Sequence, residues 1–404
     1  MQSGQAQRMV HTVRGIANVA EVDVFTMRDR GRPLPPPPFD EPVRASAGGE
    51  RPALPPAARR WAAWLRPGGP PLELAGRDAN AACAALAAFA SESYDLVWVD
   101  GAEILSLLRS ALPDGPLVLD VGDLEDLKAA DRARNLLRDA TTAGMKLRAL
   151  PRAGLALRNA RAWRRLQVEA MQSAARVVAV SRLDANRLPA SQAAIVVPNG
   201  SDDPGDRHRQ DHRLGDPPTV VFPGLLTYPP NADAARVLVE EIGPRLRARF
   251  ADLQIRLIGR ADERIQRLHC PRHVEVTGWV DDLTAELVKA DAMVVPLRYG
   301  GGTRIKIIEA WAHGVPVVST TVGAEGLDAV DRGDILLADD AGSLADCCAR
   351  LLTDEQLRDV LAAAGRERFL AGYDWRSAEA EVARIAADVN GRRPRPAPRE
   401  PGAA

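Results

Sequence analysis

Between residues 291 and 328 the chain runs strand, glycine loop, helix, strand, and that order leaves few folds open. Residues 291–297 (DAMVVPL) are a short, apolar, β-rich run, and Gly300-Gly301-Gly302-Thr303 follows almost directly. Residues 304–313 then place Ile305, Ile308 and Trp311/Ala312 at helical spacing, and Gly314 ends the helix. Residues 315–320 (VPVVST) read as a second buried strand. Glycine lets the backbone approach a ligand closely and adopt positive φ. The unpaired N–H groups that open a helix, with the helix dipole behind them, suit a phosphate. Thr303 stands where a helix N-cap belongs. Arg304 and Lys306 bring positive charge to the same turn. Glu309 lies one to two turns deeper, where a carboxylate accepts hydrogen bonds from a sugar diol. A tight turn would account for the glycines alone, but it calls for none of those three charges at helical spacing.

The rest of the chain repeats the alternation. Strand patterns at 219–226, 253–259 and 274–280 end on Gly224, Gly259-Arg260 and Gly278-Trp279-Val280, with helical patterns between them at 231–250 and 284–290. Strands alternating with helices argue a parallel, right-handed doubly wound sheet. In such a sheet the carboxyl ends converge on one crevice with the glycine loop. In the first half, residues 7–20 read as a helix, 21–27 as a strand, 94–100 and 116–121 as strands, and 176–181 and 194–200 as further strand runs. The strand at 116–121 ends in Asp120-Val121-Gly122-Asp123. These carboxylates either face a ligand, or Asp123 caps a helix over 124–130. Residues 28–60 are rich in Pro and Gly and read as a long loose loop of polyproline character, with a proline-recognition ligand as the alternative.

The segment 141–168 holds Lys146, Arg148, Arg152, Arg158, Arg161, Arg164 and Arg165, interleaved with leucines and Trp163, and no acid. It reads either as a surface for an anionic membrane or as a solvated basic helix. No reader motif for nucleic acid accompanies it. The formal net charge is −1, so no global field for nucleic acid is expected either. Cys83, Cys270, Cys347 and Cys348 lack metal spacing and fit a reducing compartment. His208 and His212 lie four apart in a polar segment without a third ligand, so no metal is expected. No apolar run reaches the roughly eighteen residues of a membrane span, and no signal-peptide pattern is read at the start. The expected setting is the cytoplasm, either free or peripheral on the inner membrane face.

The run GGGTRIKIIEAWAHGVPVVSTTVGAEGL resembles the donor-site segment of retaining GT-B glycosyltransferases of the family-4 type (group 1), in the branch with a GGGT loop. Glu309 matches the second Glu of that family's E-x7-E pattern, and the first position falls on Gly301. The VVAVS…VVPNG pattern before residue 200 and Tyr373-Asp374-Trp375 near the end resemble the family too. The resemblance implies two Rossmann-like, doubly wound parallel-sheet domains facing a cleft. It puts the acceptor-side domain at 1–205, a linker at 206–218 and the nucleotide-sugar domain at 219–374. A helix at 375–391 crosses back, and a disordered tail fills 392–404. Such a domain opens on a strand and a glycine loop. This sequence begins at the tail of that loop, Ser3-Gly4, and is read as N-terminally truncated.

The implied activity is transfer of a hexose from a nucleotide-diphosphate sugar to a glycan or lipid-linked acceptor, with retention and without metal or cofactor. Arg304, Lys306 and Glu309 are the implied catalytic set. Gly224, Arg260, Val280, Gly301, Gly302, Thr303 and Glu325 are implied for the donor, and Gly4, Asp120 and Asp123 for the acceptor. A sugar-nucleotide epimerase of the same fold, or an inactive binding protein, are the alternatives. Relatives often carry an Arg and a Lys shortly after the first strand of this domain. The stretch LLTYPPNADAA has neither, which leaves Arg304 and Lys306 to supply the charge.

Overall fold

The computed structural model describes residues 4–28, 43–138, 140, 142–188, 193–209, 214, 217–389 and 391. They fall into two compact units. The N-terminal unit is residues 5–197 together with 378–389 and 391, and the C-terminal unit is residues 198–377 together with Gly4. The division by contacts falls at 197/198, ahead of the linker read at 206–218. Ser201 explains the shift. Its N–H donates to Tyr373 O at 3.0 Å, and its carbonyl accepts from Trp375 N at 3.2 Å. Asp203 adds an ion pair to Arg366 at 2.6 Å, so this strap belongs to the C-terminal unit.

The N-terminal unit opens with α1 (Gly4–Ala17), β1 (Val22–Arg28), β2 (Val43–Glu50), α2 (Ala57–Leu65), α3 (Asn80–Phe89), β3 (Val97–Asp100) and α4 (Ala102–Leu108). It continues through β4 (Leu117–Val121), α5 (Glu125–Arg138), α6 (Ala143–Ser173), β5 (Arg176–Ala179), α7 (Arg182–Arg187) and β6 (Ile195–Val196). Its strands form two parallel sheets, β1-β2 and β3-β4-β5-β6. The strand over 43–50 and the helical residues 57–60 correct the reading of 28–60 as loop, while 29–42 lie outside the described residues. Strand β2 (VRASAGGE) buries only Gly49, so no alternation betrays it. Pairing with β1 makes it a strand, helped by the ion pair of Arg44 with Asp23. Leu119, Val177, Ala179, Met171 and Leu105 form the core beneath the larger sheet.

The segment 141–168 lies mostly within α6, a helix of 31 residues with Pro151 inside it. Its second half is anchored by buried polar bonds. Asn159 Oδ1 accepts from Trp64 Nε1 at 3.1 Å and Leu72 N at 2.7 Å, and Trp163 Nε1 donates to Glu73 at 3.1 Å.

The C-terminal unit carries β7 (Thr219–Pro223), α8 (Pro229–Arg236), α9 (Gly243–Arg247), β8 (Gln254–Ile258), α10 (Glu263–Gln266), β9 (Val274–Gly278), α11 (Leu283–Leu287) and β10 (Ala292–Val295). Then come α12 (Ile305–Ala312), β11 (Val317–Ser319), β12 (Leu336–Leu337), α13 (Ala341–Thr353) and α14 (Glu355–Gly372). The last helix, α15 (Trp375–Val389), runs on into the N-terminal unit, where Glu379 meets His11 Nδ1 at 2.6 Å. Gly15 allows the close approach of α1, since a Cβ there would lie 2.8 Å from Val382 Cβ. The single helix expected over 231–250 is interrupted by a π-helical turn, Val237–Ile242, between α8 and α9. Pro244 has no N–H to continue an α ladder, so the backbone pairing changes register just before it.

The six strands are all parallel, in the order β12-β11-β10-β7-β8-β9. The chain starts at β7, winds out through β8 and β9, then returns to β10 on the other side. The switch point is therefore the gap between the carboxyl ends of β7 and β10. Phe222, Leu257, Val294, Val318 and Trp311 fill the core below it.

Candidate functional site

The switch point gathers the glycine loop, the start of α12 and the turn after β7. Gly300 (φ +124°) and Gly302 (φ +81°) hold backbone that side-chain residues rarely adopt, so the loop depends on them. Arg304 does not extend from the loop. Its guanidinium folds back, Nη2 donating to Gly300 O at 2.8 Å and Nη1 to Gly301 O, and it is buried. With these carbonyls satisfied on one side, Arg304 braces the loop as well as charging it. The helix cap differs from expectation. Arg304, not Thr303, is the residue that turns into α12 (φ −85°, ψ 76°). The buried Thr303 Oγ1 has no hydrogen-bond partner among the described residues.

Lys306 is the next cation. Its Nζ donates to Asn231 Oδ1 at 3.0 Å and sits 3.9 Å over the Phe222 ring. Gly224 (φ +150°) leaves the room for it, since a Cβ there would stand 3.0 Å from Lys306 Nζ. Burial, followed by the nearby Arg304, pushes the Lys306 pKa down to about 7. Glu309, one turn on, is pushed up to about 7 by burial, against the pull of Lys306. Two groups whose charge is this finely balanced respond strongly to an arriving anion.

The other predicted residues divide. Gly259 lies so close to Gly224 that a Cβ would come 2.0 Å from Gly224 O, and Leu226 N donates to Arg260 O at 2.9 Å. Arg260 stacks over the half-exposed Trp279 ring at 5.1 Å, an aromatic–guanidinium platform that the sequence reading had not assembled. Val280 packs against the core. Glu325 lies in the loop after β11, which Thr320 shapes by accepting from Gly323 N at 2.8 Å. His313, passed over in the sequence, ties α12 to α11 through Thr284 Oγ1 at 2.9 Å.

In the N-terminal unit the carboxyl ends of β3 and β4 bring Asp100 beside Asp120 in register. Asp120 is 1 % exposed, and Arg8 holds both its oxygens, at 2.9 and 3.0 Å. That pairing ties the carboxylate to α1. Asp123 neither caps α5 nor stands alone, but meets Lys128 Nζ at 2.6 Å. Gly4 opens α1, next to Gln5, whose amide reaches Asp100 at 3.5 Å. Asp100, which the sequence reading missed, is pushed up to about 7 by burial and by Asp120. His208 lies near Gly205 O, and His212 lies outside the described residues.

Comparison with known proteins agrees with this geometry. The family model described as Glycosyl transferases group 1 matches residues 217–354, which hold the whole switch-point site. A phosphatidyl-myo-inositol mannosyltransferase of Mycolicibacterium smegmatis is 33% identical over 207 residues, 49% of this chain and 53% of that protein. A GDP-mannose-dependent alpha-(1-6)-phosphatidylinositol monomannoside mannosyltransferase of the same organism is 29% identical over 203 residues, 46% of this chain and 51% of that protein. The chain thus spans about half the length of the curated relatives it matches.

Among solved structures, the sucrose-phosphate synthase of Thermosynechococcus elongatus superposes with TM-score 0.66 at 18% identity, covering 94% of this chain and 92% of that one. Anabaena Alr3699/HepE in complex with UDP and glucose superposes with TM-score 0.61 at 15% identity, covering 96% and 98%. At such identities the likeness speaks for the fold. The strand–glycine loop–helix segment, the switch-point sheet and these superpositions give the chain the GT-B fold, and residues 217–354 match the group 1 glycosyltransferase model.

Proposed function

We propose that the chain transfers mannose from GDP-mannose to a hydroxyl of a phosphatidylinositol-type acceptor, with retention of configuration and without a metal. The observation that carries this reading is the Lys306 ammonium at the glycine loop, held by a neutral amide at the switch point. The loop amides, the Thr303 hydroxyl, Arg304 and Lys306 supply the positive field in which a diphosphate leaves. Glu309 binds sugar or ribose hydroxyls. Trp279 and Arg260 make the platform for the base. Departure and attack occur on one face of the sugar. The anomeric C–O bond to the diphosphate breaks, the acceptor oxygen bonds to that carbon, and the hydroxyl proton passes to the leaving phosphate oxygen.

The lipid character of the acceptor draws support from α6. Leu147 is 73% exposed and Leu150 57%, with Met145, Leu155 and Leu157 also open and Lys146, Arg148 and Arg152 among them. Such a surface suits an anionic bilayer. No helix among the described residues is long and apolar enough to cross a membrane.

The test is mannose transfer from GDP-mannose to phosphatidylinositol in vesicles, with product anomeric configuration read by NMR. Transfer with retention, lost in Lys306→Ala and reduced in the pair Leu147→Ser/Leu150→Ser only when the acceptor is in vesicles, supports the reading. An inverted product overturns retention. Turnover of donor without acceptor into an epimer overturns transfer itself.

A further inference from the structure

We infer that Asn231 is the positioning residue of the diphosphate site, fastening Lys306 through a neutral partner so that its ammonium charge stays available to an anion. The inference rests on the glycosyltransferase reading of that site. Asn231 is engaged at both ends of its amide. Oδ1 accepts from Lys306 Nζ at 3.0 Å, and Nδ2 donates to Leu225 O at 3.0 Å. A carbonyl can only accept and an ammonium can only donate, so these two neighbours set the amide orientation. Asn231 sits in the first turn of α8, whose start is stiffened by Pro229 and Pro230. The hold on Lys306 is therefore prepared before any ligand arrives.

Two further neighbours of Nζ are uncharged. The Phe222 ring attracts the cation through its π face without neutralising it. Gly224 contributes bare backbone. Asp233, two residues along α8, is taken by Arg298 at 2.8 Å and Arg236 at 3.6 Å. On α12 itself Arg304 repels Lys306, and burial pushes the Glu309 pKa up to about 7, which weakens its pull on the ammonium.

Two other buried cations meet carboxylates. Arg8 is met by Asp120 at 2.9 Å, and Arg209 by Asp291 at 2.8 Å. An ammonium left with an amide and a ring is short of one anion, and a diphosphate supplies it. The partner also stands where the sequence lacks the expected Arg and Lys after the first strand. A residue that delivers a lysine from α12 replaces a charge carried on the β7 turn.

The experiment compares Asn231→Asp, Asn231→Ala and Lys306→Ala with the parent, titrating GDP by calorimetry from pH 6 to 9 and recording thermal midpoints. A merely structural Asn231 tolerates Asp, which pairs with Lys306 and keeps it in place. The inference requires the opposite. Asn231→Asp keeps or raises the thermal midpoint yet binds GDP at least about tenfold more weakly, because its carboxylate occupies the ammonium. It also flattens the loss of affinity that the parent shows as pH rises past neutrality, since a paired lysine no longer titrates there. Asn231→Ala loosens GDP and keeps that pH dependence.

GDP affinity and pH dependence in Asn231→Asp equal to the parent's, while Lys306→Ala weakens binding, overturn the inference and leave the functional reading standing. Preference of the parent for UDP overturns the proposed donor, and the same variants then judge Asn231 with UDP. A folded parent that binds neither nucleotide nor pyrophosphate overturns both.

Discussion

Both units carry charge at the carboxyl ends of parallel strands, and they dispose of it in opposite ways. In the N-terminal unit the charges cancel one another. Arg8 grips Asp120, Lys128 meets Asp123, and the pKa of Asp100 beside them is pushed up to about 7. In the C-terminal unit two cations at the glycine loop are instead met by neutral groups. Arg304 is fastened to loop carbonyls and Lys306 to an amide and a ring. A carboxylate partner lowers the cost of burying a cation but uses up its field, whereas a carbonyl or amide holds the cation and leaves its charge unbalanced.

The sharpest way to break this contrast is to remove one cation from each unit. Arg8→Ala leaves Asp120 buried and unpaired, and should lower unfolding stability by about 3–5 kcal/mol in a denaturant titration. Gly259→Ala comes next. Its Cβ would press on Gly224 O from a backbone at φ +131°, so a loss of about 2–3 kcal/mol and of GDP binding together is expected. Lys306→Ala should change stability little, but weaken GDP by about 10- to 100-fold, the value of a hydrogen bond to a charged group. A large stability loss in Lys306→Ala, or none in Arg8→Ala, would undo the comparison.

Smaller effects sharpen it. The Glu309 pKa is raised in the folded state to about 7, above its ordinary 4.5. Its contribution to stability is therefore full below about pH 4.5 and is lost as pH rises through about 7. Lys306 is lowered from 10.5 to about 7, so its burial destabilises the fold below that range and the penalty fades as pH rises from 7 to above 10.5. Glu309→Gln should abolish the decline in thermal midpoint between pH 5 and 7 and leave the rise above pH 8. A parallel decline in parent and variant would place the titrating group elsewhere. Thr303→Val, the mildest change, removes a hydroxyl without a partner among the described residues. It should leave stability unchanged within about 0.5 kcal/mol and weaken GDP by up to about tenfold in calorimetry.

Much of the C-terminal unit was legible because its strands are continuous apolar runs bounded by glycine, and both faces of a parallel sheet are buried. The loop at 300–303 stood out for the same reason, as did the charges one turn beyond it. The strand Val43–Glu50 was not legible, since a pattern needs a buried face and this one buries a single glycine. The π-helical turn at Val237–Ile242 was hidden too, because apolar spacing reads alike on either side of a register change.

The role of individual charges was the least legible feature. Asp120 and Asp123, by their place after a strand, read either as ligand-facing carboxylates or as a helix cap by Asp123. Whether an anion at such a place faces a ligand depends on a partner that comes from 112 positions away, as Arg8 does for Asp120. Local sequence determined the layered α/β architecture, the phosphate-suited loop and the family resemblance, because apolar period, glycine and helix-start charge act over a few residues. Tertiary structure alone decided which cations stay available, because neutralisation depends on partners such as Asn231, 75 positions from Lys306, that only the packed sheet brings within hydrogen-bond reach.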